Sequence, residues 1–233
     1  MLTDAGCKTS DFSTRRRRHF VAQLRACKIL SQFPIWVGTS NVHISLENGW
    51  IPKGTVAHEW TMAYQVFDGI RHCNRASLNA WNDVYRGSLG TALTDTIGTD
   101  AFYRDFDPVL SRLFDGVRHD SGSAFVFVDK TVTHYKSMGI NPMTKTIIFS
   151  DSLDPVRAVE IQNYCKGKIL CAFGIGTNFS NDYFGSRALN IVIKLSKVNG
   201  VPVVKLSDID TKAIGDRDAL RVARWEVFGT PLD

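Results

Sequence analysis

The stretch Gly116-Val117-Arg118-His119-Asp120-Ser121-Gly122-Ser123 decides how the chain is read. Leu113 to Val117 reads as a buried strand, and the residues after it break into a loop of charge and small side chains. Arg118 offers a planar cation, Asp120 a carboxylate, and Gly122 a backbone that can turn or approach a ligand closely. The same transition recurs along the chain. Phe33 to Val37 runs into Gly38-Thr39-Ser40-Asn41, and Leu89 to Leu93 into Thr94-Asp95-Thr96. Thr146 to Phe149 runs into Ser150-Asp151-Ser152, and Ile169 to Phe173 into Gly174-Ile175-Gly176-Thr177-Asn178. Gly54 to Ala57, short and extended, delivers His58-Glu59.

Helical patterns lie between these runs: His19 to Ile29, about Glu59 to Ala80, Asp100 to Arg112 with a break near Pro108, Phe125 to Ser137, and Pro155 to about Tyr164. Apolar strands alternating with helices predict an α/β fold with a mostly parallel sheet covered on both faces. Roughly six such units precede a change of pattern. Leu189 to Leu195 and Val201 to Leu206 flank Asn199-Gly200, a hairpin signal, and a helix from about Arg217 to Phe228 follows. In a (β/α) barrel, reactive residues gather at the C-terminal ends of the strands. Ser40, His58, Asp95, Asp120, Asp151 and Gly174 to Thr177 would all fall there. A flat doubly wound sheet, with one switch point, accounts for that spread less well.

The 233 residues, 44% apolar and 22% charged, suit an ordinary globular protein with one substantial core. A net charge of +5 fits an anionic small molecule as well as nucleic acid. Cys7, Cys27, Cys73, Cys165 and Cys171 are odd in number and show no CxxC pairing, which argues against a disulfide framework or a zinc site. With no signal-like N-terminus and no run of membrane-spanning length, the expected location is the cytoplasm, with the nucleus a second destination through Arg15-Arg16-Arg17-Arg18. The arginine run otherwise reads as a solvated face or a phosphate clamp, since each guanidinium can bond two phosphate oxygens. Basic and aromatic residues do not interleave into a stripe, so no nucleic-acid partner is expected.

Taken singly, the polar strand ends are weak signals. His58 alone reads as a structural histidine, Asp95 and Asp151 as helix caps, and Gly174-Ile175-Gly176-Thr177 as a tight turn. That last loop could cradle a phosphate with its N–H groups, though it lacks the lysine of a P-loop and the third glycine of a dinucleotide fingerprint. Together, the sites are harder to explain as caps.

The set also resembles a known family. Phe12-Ser13-Thr14-Arg15-Arg16-Arg17, Gly38-Thr39-Ser40-Asn41, Gly54-Thr55-Val56-Ala57-His58-Glu59-Trp60, Leu93-Thr94-Asp95-Thr96, Arg118-His119-Asp120-Ser121-Gly122, Phe149-Ser150-Asp151-Ser152-Leu153 and Phe173-Gly174-Ile175-Gly176-Thr177-Asn178 stand in the order seen in nicotinate phosphoribosyltransferases. The resemblance runs from about Phe12 to the C-terminus.

It implies an irregular, incomplete (β/α) barrel of the type II phosphoribosyltransferase kind. Residues 1–14 would be an irregular entering segment, 15–187 the partial barrel, and 188–233 a hairpin and helix. It implies an enzyme of NAD salvage that makes nicotinate mononucleotide and pyrophosphate from nicotinate and phosphoribosyl pyrophosphate, with ATP hydrolysis coupled and Mg2+ carried on the pyrophosphate groups. His58 would be the residue phosphorylated by ATP, Asp95 the carboxylate that orients it, and Asp120 a catalytic carboxylate. Phe12 and Arg118 would sandwich the pyridine ring. Ser40 stands where nicotinamide-using relatives carry an aspartate, a charge that would repel nicotinate. Asp120 and Asp151 would bind the ribose, while Arg15, Gly174, Gly176 and Thr177 would hold phosphate. The implied partners are these small molecules, with a monomer or homodimer and no membrane.

Two residues depart from the family pattern: Ser13 replaces a glycine and Ser123 an aspartate. Family members also carry a further N-terminal region, so the expectation is a truncated form covering roughly the C-terminal three-fifths. Its alternative role is an inactive remnant that binds phosphorylated ligands or a full-length partner.

Overall fold

A computed structural model describes residues 1–230. The last three residues of the expected segment 188–233 lie outside them. The architecture is mixed α/β, with six strands that pair in parallel and helices between them. The chain forms two compact units, each built from separated segments: 1–54 with 142–192, and 55–141 with 193–233.

In the first unit, four strands lie in the order β2 (Trp36–Thr39), β1 (Thr9–Asp11), β6 (Leu170–Ile175) and β5 (Thr146–Phe149), all parallel. The apolar strands meet the expectation: Ile147, Phe149, Phe173 and Ile175 are buried, and the Phe149 and Phe173 rings stack at 5.9 Å. Helix α1 (Phe20–Leu30) begins at His19, whose ring accepts from the Ala22 amide. Helix α2 (Val42–Glu47) is capped by Asn41. Strand β1 corrects the expectation that residues 1–14 form an irregular segment. Its three residues, Thr9, Ser10 and Asp11, are polar yet buried, and the strand sits between β2 and β6.

The second unit opens with two helices, α3 (His58–Phe67) and α4 (Cys73–Tyr85), where one was expected. The break follows Asp68, at Gly69 with φ of +79°, a conformation that glycine enters without the steric penalty of a Cβ. The expected strand Gly54 to Ala57 is an extended lead into α3, so β1 takes its place among the six. Strands β3 (Thr91–Leu93) and β4 (Gly116–His119) pair in parallel. Between them lie α5 (Thr99–Asp105) and α6 (Pro108–Leu113), separated because Asp107 caps α6 and Pro108 occupies its first turn.

Helix α7 (Ala124–Ser137) follows β4, while α8 (Pro155–Cys165) and the single turn α9 (Thr177–Ser180) flank β6 in the first unit. Near the C-terminus the hairpin is far shorter than expected: β7 (Lys197–Val198) and β8 (Val201–Pro202) close around Asn199-Gly200. Leu189 to Leu195 forms no strand, and Leu189 and Ile193 are exposed. Val203 to Leu206 instead enters the core. Val204 and Leu206 pack with Cys73, Ile97, Ala101 and, from α10 (Arg217–Phe228), Ala223 and Val227.

Candidate active site

Every site residue expected from the second unit converges on His58. The ring enters at the first residue of α3 and is 4% exposed. Its Nε2 lies 2.9 Å from Asp95 Oδ1 and 3.6 Å from Asp120 Oδ2. Asp95 follows β3 and is fully buried, whereas Asp120 follows β4. Arg118, on β4, donates to Asp120 Oδ1 at 2.9 Å and to Thr55 Oγ1 at 2.7 Å. The extended residues ahead of α3 therefore have a role in the site: Thr55 holds the guanidinium and Ala57 launches the histidine.

Four residues that sequence reasoning missed complete the cluster. Ser121 Oγ and Lys205 Nζ each donate to Asp95 Oδ2 at 2.7 Å, and Ser207 Oγ reaches it at 3.3 Å. Asp208 accepts from the Thr99 amide at 2.7 Å and the Thr99 hydroxyl at 2.6 Å, while its own amide donates to Ser121 Oγ. Ser121 stands within the stretch Arg118 to Gly122, where a serine reads only as a small loop residue. Lys205, Ser207 and Asp208 follow the hairpin, more than a hundred residues from Asp95, and no local pattern marks them.

Electrostatics assigns the protons. Burial disfavours an imidazolium and carries the His58 pKa below its ordinary 6.5, against the pull of Asp95 and Asp120 and with the push of Lys205. Burial alone would raise Asp95; the His58 hydrogen bond and the Lys205 ammonium outweigh it and hold the carboxyl well below the usual range. Around neutrality the pair is a carboxylate and a neutral ring. Two carboxylate oxygens face Nε2, so the ring proton sits there, donated to Asp95, and the lone pair is on Nδ1. That is the state of a nucleophile.

His58, Asp95 and Asp120 also bring donor atoms within 4.8 Å of one another, close enough to share a cation. The Lys205 ammonium already occupies the free oxygen of Asp95, so a resident divalent ion would sit beside a like charge. The trio does not fit a resident metal.

The first unit holds the remaining expected residues. Phe12 follows β1, its amide bonded to Ile175 O. Its ring packs against Gly174, where a Cβ would run into it, and a Cβ on Gly176 would meet Phe12 O at 3.0 Å. The two glycines therefore leave room for Phe12, Gly174 for its ring and Gly176 for its carbonyl. Thr177 begins α9, and the Asn178 amide group donates to Leu153 O. Ser40 is half-buried, with its amide on Asp11 O at 2.9 Å. Asp151 is half-buried beside Ser152, whose φ is +49°, and accepts the Ser152 hydroxyl. Arg15 is exposed. The rest of the arginine run is structured: Arg17 bonds Gln23 Oε1 and lies over the Phe20 ring, and Arg18 bonds Ser186.

Both departures from the family pattern have local partners. The Ser13 amide and hydroxyl both donate to Asp11 Oδ1. Ser123 is the N-cap of α7, its Oγ accepting from the Val126 amide at 3.5 Å.

A model of the nicotinate phosphoribosyltransferase (NAPRTase) family matches residues 7–232. Nicotinate phosphoribosyltransferases of Methanosarcina acetivorans and Methanosarcina mazei are each 48% identical over 236 residues, spanning 100% of this chain and 58% of theirs. The crystal structure of nicotinate phosphoribosyltransferase from Porphyromonas gingivalis superposes with a TM-score of 0.94 at 40% identity, covering 97% of this chain and 60% of that one. That from Vibrio cholerae gives 0.91 at 38% identity, with 97% and 56% coverage. The chain therefore spans under two thirds of the length of these relatives. On the strength of the family match and of these identities, the chain belongs to the nicotinate phosphoribosyltransferase family.

Proposed function

We propose that this chain carries the phosphorylation and phosphoribosyl-transfer residues of a nicotinate phosphoribosyltransferase. The reaction joins nicotinate to phosphoribosyl pyrophosphate, releases nicotinate mononucleotide and pyrophosphate, and couples ATP hydrolysis to that transfer. The observation that carries the reading is the buried His58–Asp95 pair, with His58 Nε2 at 2.9 Å from Asp95 Oδ1.

His58 Nδ1 attacks the γ-phosphorus of ATP. The N–P bond forms as the bond from that phosphorus to the bridging oxygen breaks, and ADP departs with the electron pair. The ring then carries a positive charge with its proton still on Nε2, where Asp95 Oδ1 stabilises it. Water later cleaves the N–P bond and releases inorganic phosphate, returning the neutral ring. The added phosphoryl charge favours closure of arginine-bearing segments near it.

For the transfer step, Asp120 and Asp151 serve the ribose. A carboxylate stabilises the positive charge that develops at the anomeric carbon as pyrophosphate leaves. The Arg118 ion pair at 2.9 Å fixes the orientation of the Asp120 carboxylate. Phe12 offers one face for the pyridine ring and Arg118 a planar cation, while Ser40 leaves the nicotinate carboxylate unopposed by charge. Arg15, Gly174, Gly176 and Thr177 take the phosphate of the ribose. Mg2+ arrives on the pyrophosphate groups of the substrates. The setting is cytoplasmic, and no helix among the described residues is long and apolar enough to cross a membrane.

The test incubates the purified chain with γ-labelled ATP and then with nicotinate and phosphoribosyl pyrophosphate. Acid-labile label on His58, absent in His58→Ala, together with nicotinate mononucleotide formation, is the expected result. A folded sample that neither labels nor turns over would sink the catalytic reading and leave an inactive remnant. Ser40→Asp should weaken nicotinate use far more than nicotinamide use; equal losses would refute the charge argument.

A further inference from the structure

Lys205 is a lysine in an unusual position. It is 5% exposed, and its ammonium meets one oxygen of Asp95 at 2.7 Å while the other oxygen meets His58. Its backbone is fixed on three sides. Gln65 binds both the amide and the carbonyl of Val204, at 2.9 and 2.6 Å. Lys205 exchanges two hydrogen bonds with Ile214, and the Leu206 amide donates to Thr96 O at 2.8 Å, one residue from Asp95. The flanking Val204 and Leu206 are core residues. A cation held this firmly in the interior has to be matched by charge, and Asp95 supplies the match.

We propose that Lys205 is a positioning residue for the phosphorylation of His58: its ammonium balances Asp95, so that the imidazole can stay neutral and keep a free lone pair on Nδ1. This rests on His58 being the phosphoryl acceptor. Asp95 and Asp120 face His58 from the loops after β3 and β4, Lys205 from the segment after the hairpin. Arg118 acts on Asp120, and Asp208 reaches the cluster through Ser121. With two carboxylates against one ring nitrogen, an uncompensated Asp95 would draw a proton onto His58. The proton would go to Nδ1, the atom that must attack. Lys205 is the cation that prevents this, and it pushes the His58 titration in the same direction as burial.

Lys205→Met keeps the length and packing of the side chain without its charge, and Lys205→Arg restores a cation. The ring titration of His58 is followed by NMR in labelled protein, alongside the pH dependence of labelling by ATP. In Lys205→Met the His58 midpoint is expected to rise. Labelling at pH 7 should fall about tenfold or more, the scale seen when the partner orienting a functional histidine is lost, and should recover as pH is raised. Lys205→Arg should return the midpoint downward.

An unmoved midpoint, or a labelling loss equal at every pH, would overturn the proposal, because a merely structural lysine would give that pattern. If Lys205→Met does not fold, the wild-type titration still decides: a His58 midpoint above the ordinary histidine value would contradict the balancing role. Wild-type protein that shows the lowered midpoint but takes no label would refute the acceptor reading instead, so the two failures are distinguishable.

Discussion

Asp11 and Asp95 make an instructive pair. Both are fully buried, both stand at or just past the end of a parallel strand, and both accept several hydrogen bonds. The donors to Asp11 are the amide and hydroxyl of Ser13, the Gln23 amide group at 2.6 Å and the Thr39 hydroxyl at 2.6 Å. All are neutral dipoles. Gln23 passes the network on to Asn41 at 3.2 Å, and Asn41 caps α2. Asp11 thus ties β1, α1, β2 and α2 together. Its titratable neighbour Cys27 is pushed up to about 12 by burial and by the Asp11 charge, so that thiol stays protonated. Asp95 takes hydroxyls too, from Ser121 and Ser207, but it also bonds an imidazole and an ammonium. The same buried carboxylate is a brace in one unit and the centre of a reactive cluster in the other. What differs is whether its partners can gain and lose charge.

The contrast can be broken by exchanging the consequences. Asp95→Asn strands the buried Lys205 ammonium and so costs stability, and in the folded protein it should lower His58 labelling by roughly 10²–10⁴-fold, the scale of a lost acid–base partner; a rate within a few-fold of wild type would remove Asp95 from the chemistry. Asp11→Ala should do the reverse. It strands the donors of Ser13, Gln23 and Thr39, at a cost of roughly 3 kcal/mol or more in the denaturant-unfolding free energy. The His58 titration in whatever remains folded should be unaltered, and a shifted titration would show that the two networks are not independent.

The pH dependence of stability should also report on the second unit. A histidine whose folded-state pKa is lowered stays neutral in the fold while the unfolded chain protonates. Stability from His58 is therefore complete above about pH 6.5 and declines as pH falls below that value toward the folded midpoint. His134, lowered by burial and bonded to Ser111, adds to the same decline. Asp95, held well below the usual carboxylate range, loses its part progressively as pH falls below that range, under the window where the histidines act. Urea midpoints at pH 7.5 and 5.5 check this, and a loss no smaller in a His58→Asn, His134→Asn double variant would contradict it. The smallest effect concerns Ser123. If it is only the cap of α7, Ser123→Ala costs about 1 kcal/mol, and Ser123→Asp, which restores the family residue, keeps stability near wild type.

Much of this arrangement is legible in the sequence, for a physical reason. Val117, Ile147 and Phe149 must be apolar to be buried in a parallel sheet, and Asp95, Asp120 and Asp151 then mark the strand ends. Strand β1 escapes because its burial is secured by hydrogen bonds and not by apolar side chains. Thr-Ser-Asp carries no hydrophobic period, and Asp11 is readable as a brace only once Gln23 and Thr39 are seen beside it. The alternation of Leu189 to Leu195 misleads in the opposite way, being the pattern of a strand with no strand beside it. Gly69 did carry a signal, since glycine after an apolar helical run marks a C-terminus. Lys205 lies outside any local pattern, because its meaning depends on a contact made across more than a hundred residues.

The most direct measurement is the identity of the phosphorylated nitrogen on His58, read by NMR of the protein after reaction with ATP. Because Nε2 is committed to Asp95 at 2.9 Å with Asp120 behind it, the phosphoryl group is expected on Nδ1. A phosphoryl group on Nε2 would contradict the assigned roles of Asp95 and Lys205, and its appearance on a residue other than His58 would remove the site itself.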